Sequence, residues 1–265
     1  MLSAQPSFTQ EIQLYCYPNS TQGKLVKRYK RFFADIELDS GEIITAHCPN
    51  TGPMSGVCEV GSRVLLSHNP SPKRKLAYTW EAIEVMGHQQ KPIWVGVNTN
   101  LPNRVVKELL TQRLLTDLEP YETVRSEVKY GTNSRVDFLL EGTSSGKPIY
   151  VEVKNTTWSD GLLAKFPDTV TDRGQKHLRE MMAVMPQAQA VMLYFINRSD
   201  CDYFAPGDDR DPAYGQLLRQ AIGQGLIVLP CRFSVSPTGL SFIGLAAQQF
   251  NEFNQANFSQ APKMS

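Results

Sequence analysis

Two apolar runs, SRVDFLL (Ser134–Leu140) and PIYVEVK (Pro148–Lys154), flank the turn-rich loop between them and carry charges in their interiors: Asp137 in the first, Glu152 and Lys154 in the second. Their period of two is that of β-strands, and a strand that gives interior positions to carboxylates sacrifices burial there. Pairing Leu140 with Ile149 places Asp137 opposite Glu152, with Val136, Phe138 and Leu140 on one face beside Ile149, Val151 and Val153. Opposed residues lie about 4.5–5.5 Å apart at Cα, so two carboxylates there repel unless they share a cation. A hard ion such as Mg²⁺ or Mn²⁺ suits that pair, with Asp137 and Glu152 as metal ligands. Lys154, on the same face as Glu152, would orient an attacking water or neutralise developing charge. The same residues also fit a solvated strand face with ion pairs Arg135–Glu152 and Asp137–Lys154.

The surrounding pattern is mixed α/β. The chain has 265 residues, more than the roughly 100–200 of a usual single domain, so two domains are expected. From Leu25 to about Glu84, the runs RYKRFFADIEL, EIITAHCPN, SRVLLSH and LAYTWEAIEV are broken by turn-rich segments and show no helical stripe, the pattern of a small β barrel or sandwich. After Asn98 helices and strands alternate. A helix is predicted from Pro102 to Leu115, followed by strands VRSEVKY, SRVDFLL and PIYVEVK. RGQKHLREMMAVM is a helix capped by Thr171 or Asp172, and strand AVMLYFI, helix AYGQLLRQAIGQG with a glycine C-cap and strand LIVLPCR complete the layer. The first 20 or so residues and the Asn/Gln-rich tail from Gln248 read as extensions.

Lys plus Arg number 27 against 26 Asp plus Glu, so a nucleic-acid surface must be local. Five cysteines without a CxxC pair read as reduced thiols of a cytoplasmic protein, and no apolar run is long enough to span a bilayer. His47 and Cys48 are adjacent on a strand and point to opposite faces, which argues against a shared reaction centre. His68 and His88 read as surface or core histidines.

A helix, three strands, a helix and a strand, with Asp on the second strand and ExK on the third, resemble the PD-(D/E)XK nuclease core. That resemblance implies Glu108 on the first helix as an additional acidic ligand, and polar active-site residues at Gln175, Lys176 and His177. More specifically, TAHCPNTGPMSG, VGVNTNLPNRV, SEVKYGTNSRVDFLL, YVEVKN and FPDTVTDRGQKHLREMM resemble the sugar fermentation stimulation protein A family over roughly Leu25 to Phe242. The resemblance implies an N-terminal OB fold, assigned to residues 1–84, and a nuclease-like α/β domain, assigned to 85–265. It implies a DNA-binding protein and regulator of sugar (maltose) metabolism, with Asp137, Glu152, Lys154 and Glu108 as the catalytic set.

The barrel's basic residues fit that expectation. Lys24, Lys27, Arg28, Lys30 and Arg31 surround Tyr29, Phe32 and Phe33, and Lys73, Arg74 and Lys75 form a second cluster. Cations on phosphates with aromatics on bases hold DNA, single-stranded DNA or RNA with little sequence preference. Arg173, Lys176 and His177, at the start of the helix after ExK, would grip the scissile phosphate or a neighbouring one. Two other readings remain open: a catalytically silent DNA-binding regulator, and an OB barrel that binds carbohydrate.

Overall fold

In the computed structural model, which describes residues 11–130 and 134–250, the short alternating runs of the N-terminal half close on themselves. After β1 (Ile12–Cys16) come β2 (Ser20–Tyr29), β3 (Phe33–Leu38), β4 (Ile43–His47), β5 (Arg63–His68), β6 (Tyr78–Met86) and β7 (Pro92–Gly96). β2 to β7 form one sheet in the order β4-β3-β2-β5-β6-β7, and β4 also pairs in parallel with β6, which closes the sheet as an OB barrel. Inward positions such as Leu25, Ile36, Val64, Leu66, Trp80 and Ile83 fill its core. The buried Trp80 indole is satisfied by the Ala82 carbonyl at 3.0 Å.

Three expectations change here. RYKRFFADIEL is not one strand: it folds back at Lys30–Phe32, with Lys30 and Arg31 at φ of 49° and 64°, so that Tyr29 pairs with Phe33. The barrel does not end at residue 84, because β6 runs on to Met86 and pairs with β7. The N-terminal segment is not a bare extension, since β1 pairs with a strand at the far end of the chain.

The second unit is built on a seven-stranded sheet. Its elements are α1 (Pro102–Thr111), β8 (Thr123–Tyr130), β9 (Ser134–Glu141), β10 (Ile149–Thr156), β11 (Ser159–Asp160), β12 (Leu163–Phe166), α2 (Asp172–Val184), β13 (Gln189–Ile196), β14 (Tyr203–Pro206), α3 (Pro212–Gly223), β15 (Ile227–Ser236), β16 (Gly239–Leu245) and β17 (Ala247–Gln248). The main sheet runs β1-β16-β15-β13-β10-β9-β8, with β10, β13 and β15 parallel, and a small sheet runs β11-β12-β14-β17. Parallel strands are buried on both faces, which accounts for the continuous apolar run of β13. One face packs against α1 and, through Leu65 and Ala82, against the barrel; the other packs against α2, α3 and the small sheet.

α1 is shorter than predicted and stops at Thr111. In α2, Thr171 is the N-cap, its hydroxyl accepting from Gly174 N–H at 3.0 Å. α3 ends before Gly225, whose φ of +108° suits a residue without a side chain. The tail begins docked, because Gln248 donates to the Val228 carbonyl at 2.8 Å; its continuation from residue 251 lies outside the described residues. Among the described residues no helix is long and apolar enough to cross a membrane.

Candidate active site

β9 and β10 pair in the expected register, Leu140 with Ile149, Leu139 with Tyr150 and Phe138 with Val151, and the next step sets Asp137 opposite Glu152. The backbone ladder stops there. Asp137 Oδ2 instead accepts from the Val153 N–H at 2.7 Å, so a side-chain carboxylate replaces the missing carbonyl. On the other flank the β8–β9 ladder omits the Glu127–Asp137 pair, and Glu127 has φ of 56°. This double interruption overturns one expectation. Phe138 and Leu140 pack with Ile149 and Val151, but Val136 joins Leu139 in the opposite core, because alternation holds only along a continuous pleat.

Glu152 is 2% exposed. Its Oε1 accepts from Lys154 Nζ at 2.8 Å and closely contacts His177 Nδ1. Its Oε2 is buried and has no hydrogen-bond partner among the described residues. Arg173 Nε approaches His177 Nε2 at 3.4 Å, while His177 Nδ1 lies against both Glu152 Oε1 and, at 3.0 Å, Lys154 Nζ. The pairs Arg135–Glu152 and Asp137–Lys154 do not form; Lys154 bridges to Glu152 on its own strand, since Asp137 is turned to the Val153 amide.

Burial raises the Asp137 carboxyl above the usual range and the Glu152 charge adds to this, against hydrogen bonds from Val153 and Asn103 and the charge of Lys154. Burial also acts to raise Glu152, but the His177 hydrogen bond and the Lys154 charge bring it below its ordinary value. One carboxyl therefore resists ionisation and the other holds its charge, a division typical of functional pairs.

These groups line an open cleft of about 590 Å³ together with Glu127, Arg135, Asp172, Arg173 and Lys176. Lys176 is exposed and pairs with Glu180 at 3.5 Å. His177 lines the cleft but is only 7% exposed and is spent on Glu152, so it is a positioning group and not a free phosphate contact. Gln175 is directed to Asp211 at 3.1 Å. Glu108 accepts from Gln112 at 2.7 Å on its own helix and does not line the cleft. The α1 residue that reaches the site is Asn103, which donates to Asp137 Oδ1 at 2.7 Å; it was present in VGVNTNLPNRV, but nothing in the spacing singled it out. Among the described residues no three His, Cys, Asp or Glu side chains form a ready metal-binding group; of the four carboxylates that line the cleft, Asp137 and Glu152 are the two that stand opposite each other on adjacent strands.

The barrel's basic residues divide. Lys30 and Arg31 are exposed beside Phe32, itself 49% exposed; Lys24 is exposed further along β2, opposite Glu37, while Lys27 pairs with Asp35 at 3.2 Å and lies over Tyr29. Arg28 is structural, because it donates to the Asn50 and Gly52 carbonyls, each at 2.9 Å, and so anchors the PNTG loop. Lys73 and Lys75 are exposed, whereas Arg74 donates to Thr79 at 2.7 Å and lines a separate cleft.

Two family profiles match the chain: the SfsA N-terminal OB domain over residues 26–97 and the sugar fermentation stimulation protein RE domain over 100–239. Sugar fermentation stimulation protein homologs of Synechococcus elongatus and a Picosynechococcus species are 64% and 59% identical, over 89% and 91% of this chain and 98% and 96% of theirs. In fold the chain is similar to the solved structure of Pyrococcus furiosus SfsA in complex with Ca²⁺, with a TM-score of 0.78 and 22% identity over 89% of this chain and 99% of that one.

Proposed function

From the premise that the chain belongs to the sugar fermentation stimulation protein family, we propose that it binds DNA with little sequence preference and hydrolyses phosphodiesters at a divalent-metal site formed by Asp137 and Glu152. The observation that carries this reading is Glu152 Oε2, a buried carboxylate oxygen without a partner among the described residues, next to a second carboxylate whose ionisation is suppressed. An acceptor left unmatched in a buried site costs roughly 1–3 kcal/mol or more, and a cation between the two carboxylates would satisfy it and relieve their repulsion. The Ca²⁺ of the Pyrococcus furiosus relative supports a hard, oxygen-seeking ion; Mg²⁺ or Mn²⁺ suits phosphoryl chemistry.

Asp137 and Glu152 would hold the ion, which when bound supplies charge stabilisation at the phosphate and a more acidic water. Asn103 and the Val153 amide aim Asp137. Lys154 and His177 fix Glu152 through Oε1 alone, and Lys154 stands beside the position where negative charge develops. Arg173 and Lys176, in the first turns of α2, and Arg135 hold neighbouring phosphates. The exposed cations of the β2–β3 turn, with Phe32, extend the contact on the barrel.

A second reading, metal-responsive DNA binding without cleavage in a regulator of sugar metabolism, is favoured by the engagement of Glu152 Oε1 by both Lys154 and His177. Metal-free protein incubated with supercoiled, linear and single-stranded DNA, with and without Mg²⁺ or Mn²⁺, separates the two. Metal-dependent shortening that is lost in Asp137→Asn supports hydrolysis. Metal-dependent retention at constant DNA length supports the silent binder, and neither retention nor calorimetric metal binding overturns both.

A further inference from the structure

A second cleft, of about 650 Å³, lies where the barrel meets the nuclease-like unit. Its wall is composite: β1 contributes Tyr15, the ends of β4 and β5 contribute His47 and His68, and the segment entering α1 contributes Asn98 and Asn100. On its floor is Glu81, 5% exposed, whose carboxylate accepts from Ser67 at 2.6 Å and Asn98 at 2.8 Å. At its exposed edge stand Arg74 and Arg104, and among the described residues neither forms an ion pair. Two guanidiniums that both act on the single buried Glu81 carboxylate, and are salt-bridged to no acid among the described residues, leave the edge of this concave site net positive and favour a compact anion, best a phosphate, which accepts several charge-assisted hydrogen bonds. A carboxylate backed by asparagines favours neutral donors, which hydroxyl groups supply, and repels a polyanion pressed to the floor.

We propose that this junction cleft binds a small phosphorylated polyol, its phosphate ester between Arg74 and Arg104 and its hydroxyls on Glu81, Asn98 and Asn100. The volume falls within the roughly 300–1,000 Å³ of small-ligand sites. Bases are held mainly by stacking, and here the Tyr15 ring is covered by the Arg104 guanidinium, 5.1 Å from its centroid, while His68 is stacked on Tyr78 at 4.6 Å. Amides and a carboxylate therefore dominate recognition. Burial, with the Arg74 charge adding to it, lowers the His47 pKa, so this wall brings a neutral hydrogen-bonding ring at neutral pH. The proposal does not rest on the metal site, although Arg104 follows Asn103 on the first turn of α1.

The test is calorimetry on the full chain with glucose 6-phosphate, ribose 5-phosphate, AMP, glucose and inorganic phosphate. At least one ester is expected to bind ten-fold or more tighter than glucose or inorganic phosphate, and Arg74→Gln and Arg104→Gln each to weaken it about ten-fold at an unchanged melting temperature. Asn100→Asp, which adds a negative charge to the wall, should weaken it similarly. AMP stronger than both sugar phosphates identifies a nucleotide as the source, and the reverse order identifies a free sugar phosphate. Esters no tighter than inorganic phosphate, affinity indifferent to both arginines, or binding lost in Asp137→Asn would overturn the assignment, the last by moving the ligand to the catalytic cleft.

Discussion

Burial presses on both carboxylates of the Asp137–Glu152 cleft, yet they diverge because only Glu152 has a cation and an imidazole in contact with it. The consequences for stability have opposite signs. Glu152, depressed in the folded state, contributes stability above its unfolded pKa of about 4.3, and this is lost as pH falls through its folded value. Asp137, raised in the folded state, favours folding while protonated; that contribution is lost as pH rises through its folded value. Asp137→Asn is therefore expected to leave the metal-free melting temperature at pH 7 unchanged or higher, since an amide can still accept from Val153. It should also abolish stabilisation by Mg²⁺ or Mn²⁺, which for wild type at 100 times the dissociation constant is about 2.7 kcal/mol. Thermal melts of both proteins with and without metal check this; a metal shift that survives the substitution removes Asp137 from the ligand set. Because the ion needs both carboxylates ionised, its affinity should climb with pH through the Asp137 transition. His177→Ala tests the other carboxylate. It strips a hydrogen bond from a buried charge, so denaturant unfolding at pH 7 should show a loss of roughly 1–3 kcal/mol that narrows as pH falls toward the protonation of Glu152.

Turns and caps decide where these elements start and stop, and they account for what the sequence revealed. The β9–β10 register and the Thr171 cap were legible because each is local: alternation across a short loop, and a hydroxyl three residues ahead of the amide that it receives. The β2–β3 turn was not, because Lys30-Arg31-Phe32 carries none of the Gly, Asn or Pro that signal reversal and yet holds two residues at positive φ. β1 escaped notice because its partner strand is at the opposite end of the chain; Glu108 came from the nuclease resemblance alone, and Asn103 carried no signal because a neutral amide on a helix marks no ligand by its spacing. A non-glycine residue in the left-handed region costs about 1–2 kcal/mol. Replacing Lys30-Arg31 by Asn-Gly should therefore stabilise the protein by about 1 kcal/mol, part of the gain being offset by glycine's entropy in the unfolded chain. It should also weaken DNA binding and reduce the slope of log affinity against log salt by about 1 to 2, since each phosphate contact contributes roughly 0.7 to 0.9. Denaturant melts and filter binding at several salt concentrations read both effects; an unchanged slope removes this turn from the DNA surface.

At the scale of the whole molecule, the barrel and the nuclease-like unit match two separate family profiles, yet they share a core. Tyr17, Leu65 and Ala82 pack in one cluster with Val105, Val106 and Leu109 of α1 and with β10 and β13. Gly96 N–H donates to the Asn197 carbonyl at 3.0 Å, and a side chain at residue 96 would run into the buried Asn197, so the approach of β7 to the main sheet depends on a glycine there. The backbone of Glu81 in turn receives the amides of Val97 and Asn98, tying the connection between the units to the barrel wall. Units joined in this way should not melt separately. Scanning calorimetry is expected to give one transition with calorimetric and van't Hoff enthalpies equal. Deleting residues 1–18 removes β1 and with it Tyr15 and Tyr17, which bridge the two units. At about 1.5–3 kcal/mol for a large buried side chain, the loss should reach several kcal/mol and be felt throughout the molecule, lowering the single transition without splitting it. Two resolved transitions in the intact chain, or a deletion that leaves the midpoint in place, would show that the units fold independently and that the junction is a surface of contact and not a common core.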